Sequence, residues 1–263
     1  MLPTVDFCGI KLSKMLIGAN PFGGYSHLSK EASEKMEKFH TEEKIFETWD
    51  RAYAAGITGF ATNTNTEKVL NATCKYLANG GPMKWLAQVE FGKDWENPAE
   101  GVIEASLDRA ASAGAAALFL QGEILGQWVE AGKLHLVRRF VEYARTKNVP
   151  VGIAGHDPEH HYLIDKLDLV DFHVIPFFNC VNDNFRLEDL EAATRLIRYL
   201  RKPCIAYKVL GAGRIEPKMG FSYALRNIKP NDCILVGMSR HADDDQVEKD
   251  VALLEELIAN PIL

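Results

Sequence analysis

Met15-Leu16-Ile17-Gly18-Ala19-Asn20-Pro21-Phe22-Gly23-Gly24 is the stretch on which the fold turns. It starts as an apolar run and breaks at Asn20-Pro21, as a buried strand does where it meets a loop. A doubly wound dinucleotide fold would follow its first strand with Gly-x-Gly-x-x-Gly. The glycines here lack that spacing. Seven more short runs resemble the first, at 59–62, 85–91, 116–121, 149–154, 171–178, 204–210 and 233–238. They are nearly all apolar rather than alternating, which suits parallel strands covered on both faces.

Between these runs the apolar period changes. Ile45, Phe46, Trp49, Ala52 and Tyr53 recur at threes and fours, one face of a helix. Thr41 precedes them as an N-cap and Gly56 follows as a stop. The same spacing returns at 69–77, 103–110, 137–144, 190–200, 221–228 and 247–258. Asp157-Pro158 opens a short helix, a cap followed by proline at the first helical position. The acids Asp243, Asp244 and Asp245 precede the last helix, where carboxylates favour an N-terminus. Strand and helix therefore alternate through the chain, and its 263 residues suit a (β/α)8 TIM barrel of the α/β class, one domain over 1–263. The first strand-to-helix connection, at about 22–40, is long. Connections of that length serve as lids or binding loops, and a short helix around 30–38 fits within it.

Composition narrows the function classes. The net charge of −6 argues against a general nucleic-acid or membrane-surface binder. No run of 18 apolar residues offers a membrane span, and the N-terminus lacks the apolar run of a secretory signal. Cys8, Cys74, Cys180, Cys204 and Cys233 are scattered, odd in number and without Cys-x-x-Cys. Reduced thiols and a cytoplasmic location are the expectation. The expected partner is a small molecule, with a homo-oligomer open.

Barrels of this type build active sites at the carboxyl ends of their strands. The polar residues there are Asn20, Asn63 and Asn65, Glu90, Gln121 and Glu123, His156 and Asp157, Asn179, Lys208, and Ser239 with Arg240. A polar ring over an apolar core is the pattern of a small-molecule site. Glu90 is a candidate base. Gly155 lets the chain turn and expose His156. Lys208, in an otherwise apolar strand, would have a depressed pKa if buried. His27 is placed to close over the mouth. His160 and His161 read as surface residues, and Cys180 and Cys204 as small core residues. Glu90, Glu123, His156 and Asp157 are the candidate ligands of a divalent metal.

Three segments resemble the aldo/keto reductase superfamily. Ala-Tyr-Lys-Val-Leu-Gly-Ala-Gly at 206–213 is similar to the family's seventh-strand pattern. The resemblance makes Tyr207 the residue that stacks on a nicotinamide, with the loop after it meeting the pyrophosphate. Val-Gly-Met-Ser-Arg at 236–240, with Gln246-Val247 and Asp250-Val251, resembles the segment that holds the adenine end. Ala-Tyr-Ala-Ala-Gly-Ile-Thr-Gly-Phe-Ala-Thr at 52–62 resembles the helix and strand before the catalytic Asp. The catalytic tetrad is not retained. In this register its Asp falls on Ala61, its Tyr within 65–67 where no tyrosine stands, its Lys on Glu90 and its His on Gln121. The Ser-Asn pair that grips the carboxamide falls on Ala154-Gly155. Carbonyl reduction needs a proton donor at the developing alkoxide.

The leading expectation is accordingly an isomerase, lyase or hydrolase working by acid–base chemistry on a sugar-like or polyol-like carbonyl compound. Glu90, His156 and Lys208 would be catalytic. Asn20, His27, Asn63, Gln121, Asn179, Tyr207 and Arg214 would hold substrate, because amides offer both donor and acceptor to hydroxyls. The rivals are an NADP(H)-dependent oxidoreductase with a rearranged acid, in which Tyr207, the 211–214 loop and Arg240 serve the cofactor, and a non-catalytic ligand-binding barrel.

Overall fold

Two strands that the hydrophobic pattern does not announce come first. β1 (Thr4–Phe7) and β2 (Ile10–Ser13) form an antiparallel hairpin. Its turn residues, Cys8 and Gly9, both have positive φ, 52° and 82°, as a two-residue hairpin turn requires. Cysteine in place of the usual Asn or Asp hides that turn from a reader of the sequence. The structure is a computed structural model and describes residues 1–92, 95–178 and 187–260.

Eight parallel strands then close a barrel in the order β10-β3-β4-β5-β6-β7-β8-β9. They are β3 (Met15–Gly18), β4 (Gly59–Asn63), β5 (Lys84–Val89), β6 (Ala117–Leu120), β7 (Val151–Ala154), β8 (Phe172–Pro176), β9 (Cys204–Tyr207) and β10 (Cys233–Gly237). The last strand meets the first with Ile234 opposite Met15, so the sheet has no open edge. Each strand falls within one of the apolar runs or overlaps it closely.

The helices of the outer ring follow the spacing read from the sequence. They are α1 (Lys30–Phe39), α2 (Glu42–Ala54), α3 (Glu67–Ala78), α4 (Val102–Ser112), α5 (Gly122–Glu130), α6 (Leu134–Arg145), α7 (Pro158–Lys166), α8 (Leu187–Tyr199), α9 (Pro217–Asn227) and α10 (Gln246–Ala259). α1 lies inside the long first connection, as expected, and none of its residues is buried. α5 was not anticipated, because Gly122 and Gly126 interrupt its apolar face. No helix among the described residues is long and apolar enough to cross a membrane.

Alternate residues of each strand fill the barrel. Leu16, Ala61, Leu86, Ala117, Phe119, Ala154, Phe172, Val174, Ile205 and Cys233 pack in one cluster with Phe7 and Leu12 of the hairpin. The hairpin thus plugs the amino-terminal end. The Phe7 and Phe172 rings meet edge-on at 5.1 Å. Ser13 and Thr58 exchange hydrogen bonds, each backbone N–H donating to the other's hydroxyl, at 2.7 and 2.9 Å. With the bottom filled by side chains, any ligand space is confined to the carboxyl end.

Candidate functional site

A cavity of about 330 Å3 opens at that carboxyl end. Its floor continues the inward alternation by one step. Above Leu16 come Gly18 and Asn20, above Ala61 comes Asn63, above Leu86 comes Gln88, and above Ile205 comes Tyr207. Gly18 and Gly237 keep the floor open: a Cβ on Gly237 would lie 3.3 Å from Pro21. The loop after β9 turns tightly, with Lys208, Gly211, Ala212 and Gly213 all at positive φ, between 53° and 87°. Non-glycine residues held in that region cost about 1–3 kcal/mol each and cluster at functional sites.

The long first connection forms a strap over the cavity. Gly23, Tyr25, Ser26, His27 and Leu28, with Met36 of α1, border it. Hydrogen bonds tie the strap on both sides. The Tyr25 hydroxyl lies 3.3 Å from that of Thr66, Lys68 Nζ donates to the Glu37 carbonyl at 2.7 Å, and Arg214 donates to the His27 carbonyl at 2.9 Å. The His27 ring reaches Asn20 at 3.3 Å.

Basic groups gather on one side of the mouth. The Lys208 ammonium lies 5.7 Å from the centre of the Tyr207 ring, and the His156 ring is 6.4 Å from the same ring. Burial by the surrounding protein, then the charges of Lys208 and His27, push the His156 pKa down to about 4. Burial, Lys208 and Arg214 lower that of His27. Both imidazoles are therefore held neutral at pH 7 and can accept a proton. Burial raises the pKa of the Tyr207 hydroxyl, which keeps it a donor.

Of the residues named from sequence, Asn20, His27, Asn63, Tyr207 and Lys208 border this one cavity, and His156 stands beside Tyr207. Arg214 is a brace on the strap. Others are placed elsewhere. Glu90 borders a separate recess with Thr64, Asn65, Phe91 and Arg109. There, burial and the Glu123 charge raise its pKa, against a hydrogen bond from Gln88. The Gln121 side chain caps α5, accepting from Ile124 N at 2.9 Å, and Asp157 caps α7, accepting from Glu159 N at 2.9 Å. Glu90, Glu123, His156 and Asp157 do not converge: no group of three metal-ligating side chains occurs among the described residues. Asn179 and Cys180 lie outside the described residues.

Three expectations are corrected. Arg240 is not available to a cofactor phosphate. It is 2% exposed and spends its guanidinium on Glu47, Asp244 and the Asp244 carbonyl at 2.6, 2.5 and 3.1 Å. His161, at 1% exposure, is a buried residue rather than a surface one. It bonds the His173 ring at 3.0 Å and the Gly155 carbonyl at 3.2 Å. His160 is buried with it. Stepping by two from Leu86 reaches both Gln88, which borders the cavity, and Glu90, which lies beyond the end of β5 at Val89 and borders the other recess; the end of the apolar run pointed only to Glu90.

One wall of the cavity draws on two stretches of the chain. That wall consists of Tyr207–Gly213 and Leu235–Gln246 residues, the two segments resembling the cofactor-binding part of the reductases. Ser239 borders it at 9% exposure, and its enclosed hydroxyl has no hydrogen-bond partner among the described residues.

No protein-family model matches the sequence, and no curated protein matches it. Solved structures do. A Pseudomonas aeruginosa protein described as an aldo-keto reductase is 14% identical with a TM-score of 0.63, over 97% of this chain and 94% of that one. The Bombyx mori aldo-keto reductase solved with NADP is 10% identical with a TM-score of 0.59, over 97% and 92%. A truncated 3-deoxy-D-arabino-heptulosonate 7-phosphate synthase from Thermotoga maritima is 13% identical with a TM-score of 0.58, over 98% and 91%. The chain thus shares its (β/α)8 barrel fold with proteins described as aldo-keto reductases and with one described as a synthase.

Proposed function

We propose that this chain is an oxidoreductase that uses a nicotinamide dinucleotide on a small carbonyl or alcohol substrate, with the family's proton donor replaced. The observation that carries this is the cavity wall. Both segments that resemble the cofactor-binding part of the reductases border one continuous space. The coverage of reductases along nearly their whole length supports the same reading.

A bound dinucleotide would supply or accept the hydride. The protein's own groups do the rest. Tyr207 walls the cavity beneath the reacting centre, and Asn20, Asn63 and Gln88 offer hydrogen bonds to substrate. Lys208 Nζ stabilises the oxygen that gains negative charge and gives it a proton. The rings of His27 and His156, held neutral beside that amine, add no competing charge, and Lys208 regains its proton from solvent when product leaves. The strap excludes water.

The test is a fluorescence titration with NADPH and NADH. Saturable binding at a Kd of about 1–100 μM, the ordinary range for enzyme ligands, is expected. No binding of either at about 1 mM would overturn the proposal. In that case the second reading, acid–base chemistry on a carbonyl compound without a cofactor, takes over. It is favoured by the absence of the tetrad at Ala61 and Gln121 and by the grouping of Lys208, His27 and His156.

A further inference from the structure

Two amides on the cavity floor have their polarity fixed by the protein behind them. Asn63 and Gln88 are direct register partners on the neighbouring parallel strands β4 and β5, and both border the cavity. Parallel neighbours lie about 4.8 Å apart, so the two side chains leave the sheet side by side. Their terminal atoms are not interchangeable. Asn63 Oδ1 accepts from the backbone N–H groups of Asn65 and Thr66 at 3.2 and 2.7 Å. An amide nitrogen cannot accept those bonds, so the Asn63 nitrogen is the atom left over. It has no hydrogen-bond partner among the described residues. Gln88 is set the opposite way. Its Nε2 donates to Glu90 Oε1 at 2.8 Å. Ionised, the Glu90 carboxylate only accepts, so the Gln88 oxygen cannot face it. That oxygen likewise has no partner among the described residues.

The floor therefore shows a donor on one strand and an acceptor on the next. We propose that Asn63 and Gln88 recognise a carbonyl oxygen beside a hydroxyl, and that Glu90 is the positioning residue that holds Gln88 in the accepting orientation. The ligand carbonyl accepts from Asn63 Nδ2, and the adjacent hydroxyl donates to Gln88 Oε1. The substrate class is the α-hydroxycarbonyl compounds. This names the substrate of the oxidoreductase reading and rests on it for turnover, but the recognition can be measured without turnover. Glu90 thereby gains a role from a recess it does not share with the substrate. A simple ketone leaves the Gln88 oxygen desolvated and unpaired, which is the source of discrimination.

Ligand-observed NMR measures affinity for hydroxyacetone and for acetone, with no cofactor present. The wild-type protein should bind hydroxyacetone about tenfold more tightly, the worth of one net hydrogen bond. Glu90→Gln offers Gln88 both a donor and an acceptor, so the amide is free to turn, and the ratio should fall to about threefold or less. Exchanging the pair, Gln88→Glu with Glu90→Gln, returns an acceptor to the cavity and should restore the preference. Asn63→Asp keeps the loop's acceptor but removes the donor, and should weaken both ligands. A wild-type ratio near one, tighter binding of acetamide than of hydroxyacetone, or a ratio untouched by Glu90→Gln would overturn the inference. Dinucleotide titration of the same preparations shows separately whether the oxidoreductase reading stands.

Discussion

Acid should unfold this barrel through histidines that it keeps neutral. His40 is fully buried between the rings of Phe22 and Phe39, each 5.0 Å away. Its Nδ1 donates to the Met36 carbonyl at 2.8 Å, which leaves Nε2 buried without a partner among the described residues. Burial, outweighing that hydrogen bond and joined by the charges of Lys68, His241 and Arg240, lowers its pKa from 6.5 to about 4. His161 is shifted as far, again mainly by burial. The folded pKa lies below the unfolded one, so the unfolded chain takes the proton first. Stability is therefore full above about pH 6.5, falls as the pH drops through that value, and levels off below about 4. At pH 5 each such histidine removes about 2 kcal/mol. Urea unfolding at pH 7.5 and pH 5.0 should show a loss of about 4 kcal/mol from these two. His40→Phe keeps a ring between the phenylalanines and removes the titration. It should cost up to about 1 kcal/mol at pH 7.5 for the lost bond, and should cut the acid-induced loss by about 2 kcal/mol. The Met36 carbonyl still accepts from the His40 backbone N–H at 3.1 Å, so no buried acceptor is stranded. If His40→Phe lost as much stability on acidification as wild type, the reasoning would be wrong.

Three further outcomes follow from the packing. Phe7→Ala should lower unfolding free energy by about 3–5 kcal/mol, as large-to-small changes in a core do; an unchanged urea midpoint would mean that the hairpin does not seal the barrel. Arg240→Met should be milder than the double change Glu47→Ala with Asp244→Ala, as compared by thermal unfolding. The two carboxylates are 43% and 63% exposed and can rehydrate, whereas the stranded guanidinium cannot, at about 3–5 kcal/mol. Lys68→Ala should release the bond to the Glu37 carbonyl and speed amide exchange across 25–39 about threefold or more, with barrel amides unchanged.

The barrel was legible because its strands are short apolar runs and its helices keep a strict apolar face. What was missed is local to residues that break those habits. Cys8-Gly9 is a hairpin turn without its usual spelling, and Gly122 and Gly126 blur the face of α5. In the cavity, Asn20, Asn63 and Lys208 could be named from their places at strand ends, and Tyr207 from the resemblance at 206–213. Glu90 could not be placed, because the period of two from Leu86 names Gln88 and Glu90 alike and holds only to the end of β5 at Val89. Partnerships across long stretches of chain were invisible. Arg240 finds Glu47 from the opposite end of the sequence, and His161 meets His173 only when α7 packs on β8. The burial of both follows from those meetings rather than from their neighbours in sequence.

The hairpin fills the amino end of the barrel, so among the described residues the cavity is approached from the carboxyl end, where the strap lies. In a vessel with one neck, two occupants cannot pass each other. Whichever lies deeper must arrive before its companion and depart after it. Should two reactants share this space, their traffic is queued by the architecture, and a compound that lodges in the neck traps the one below.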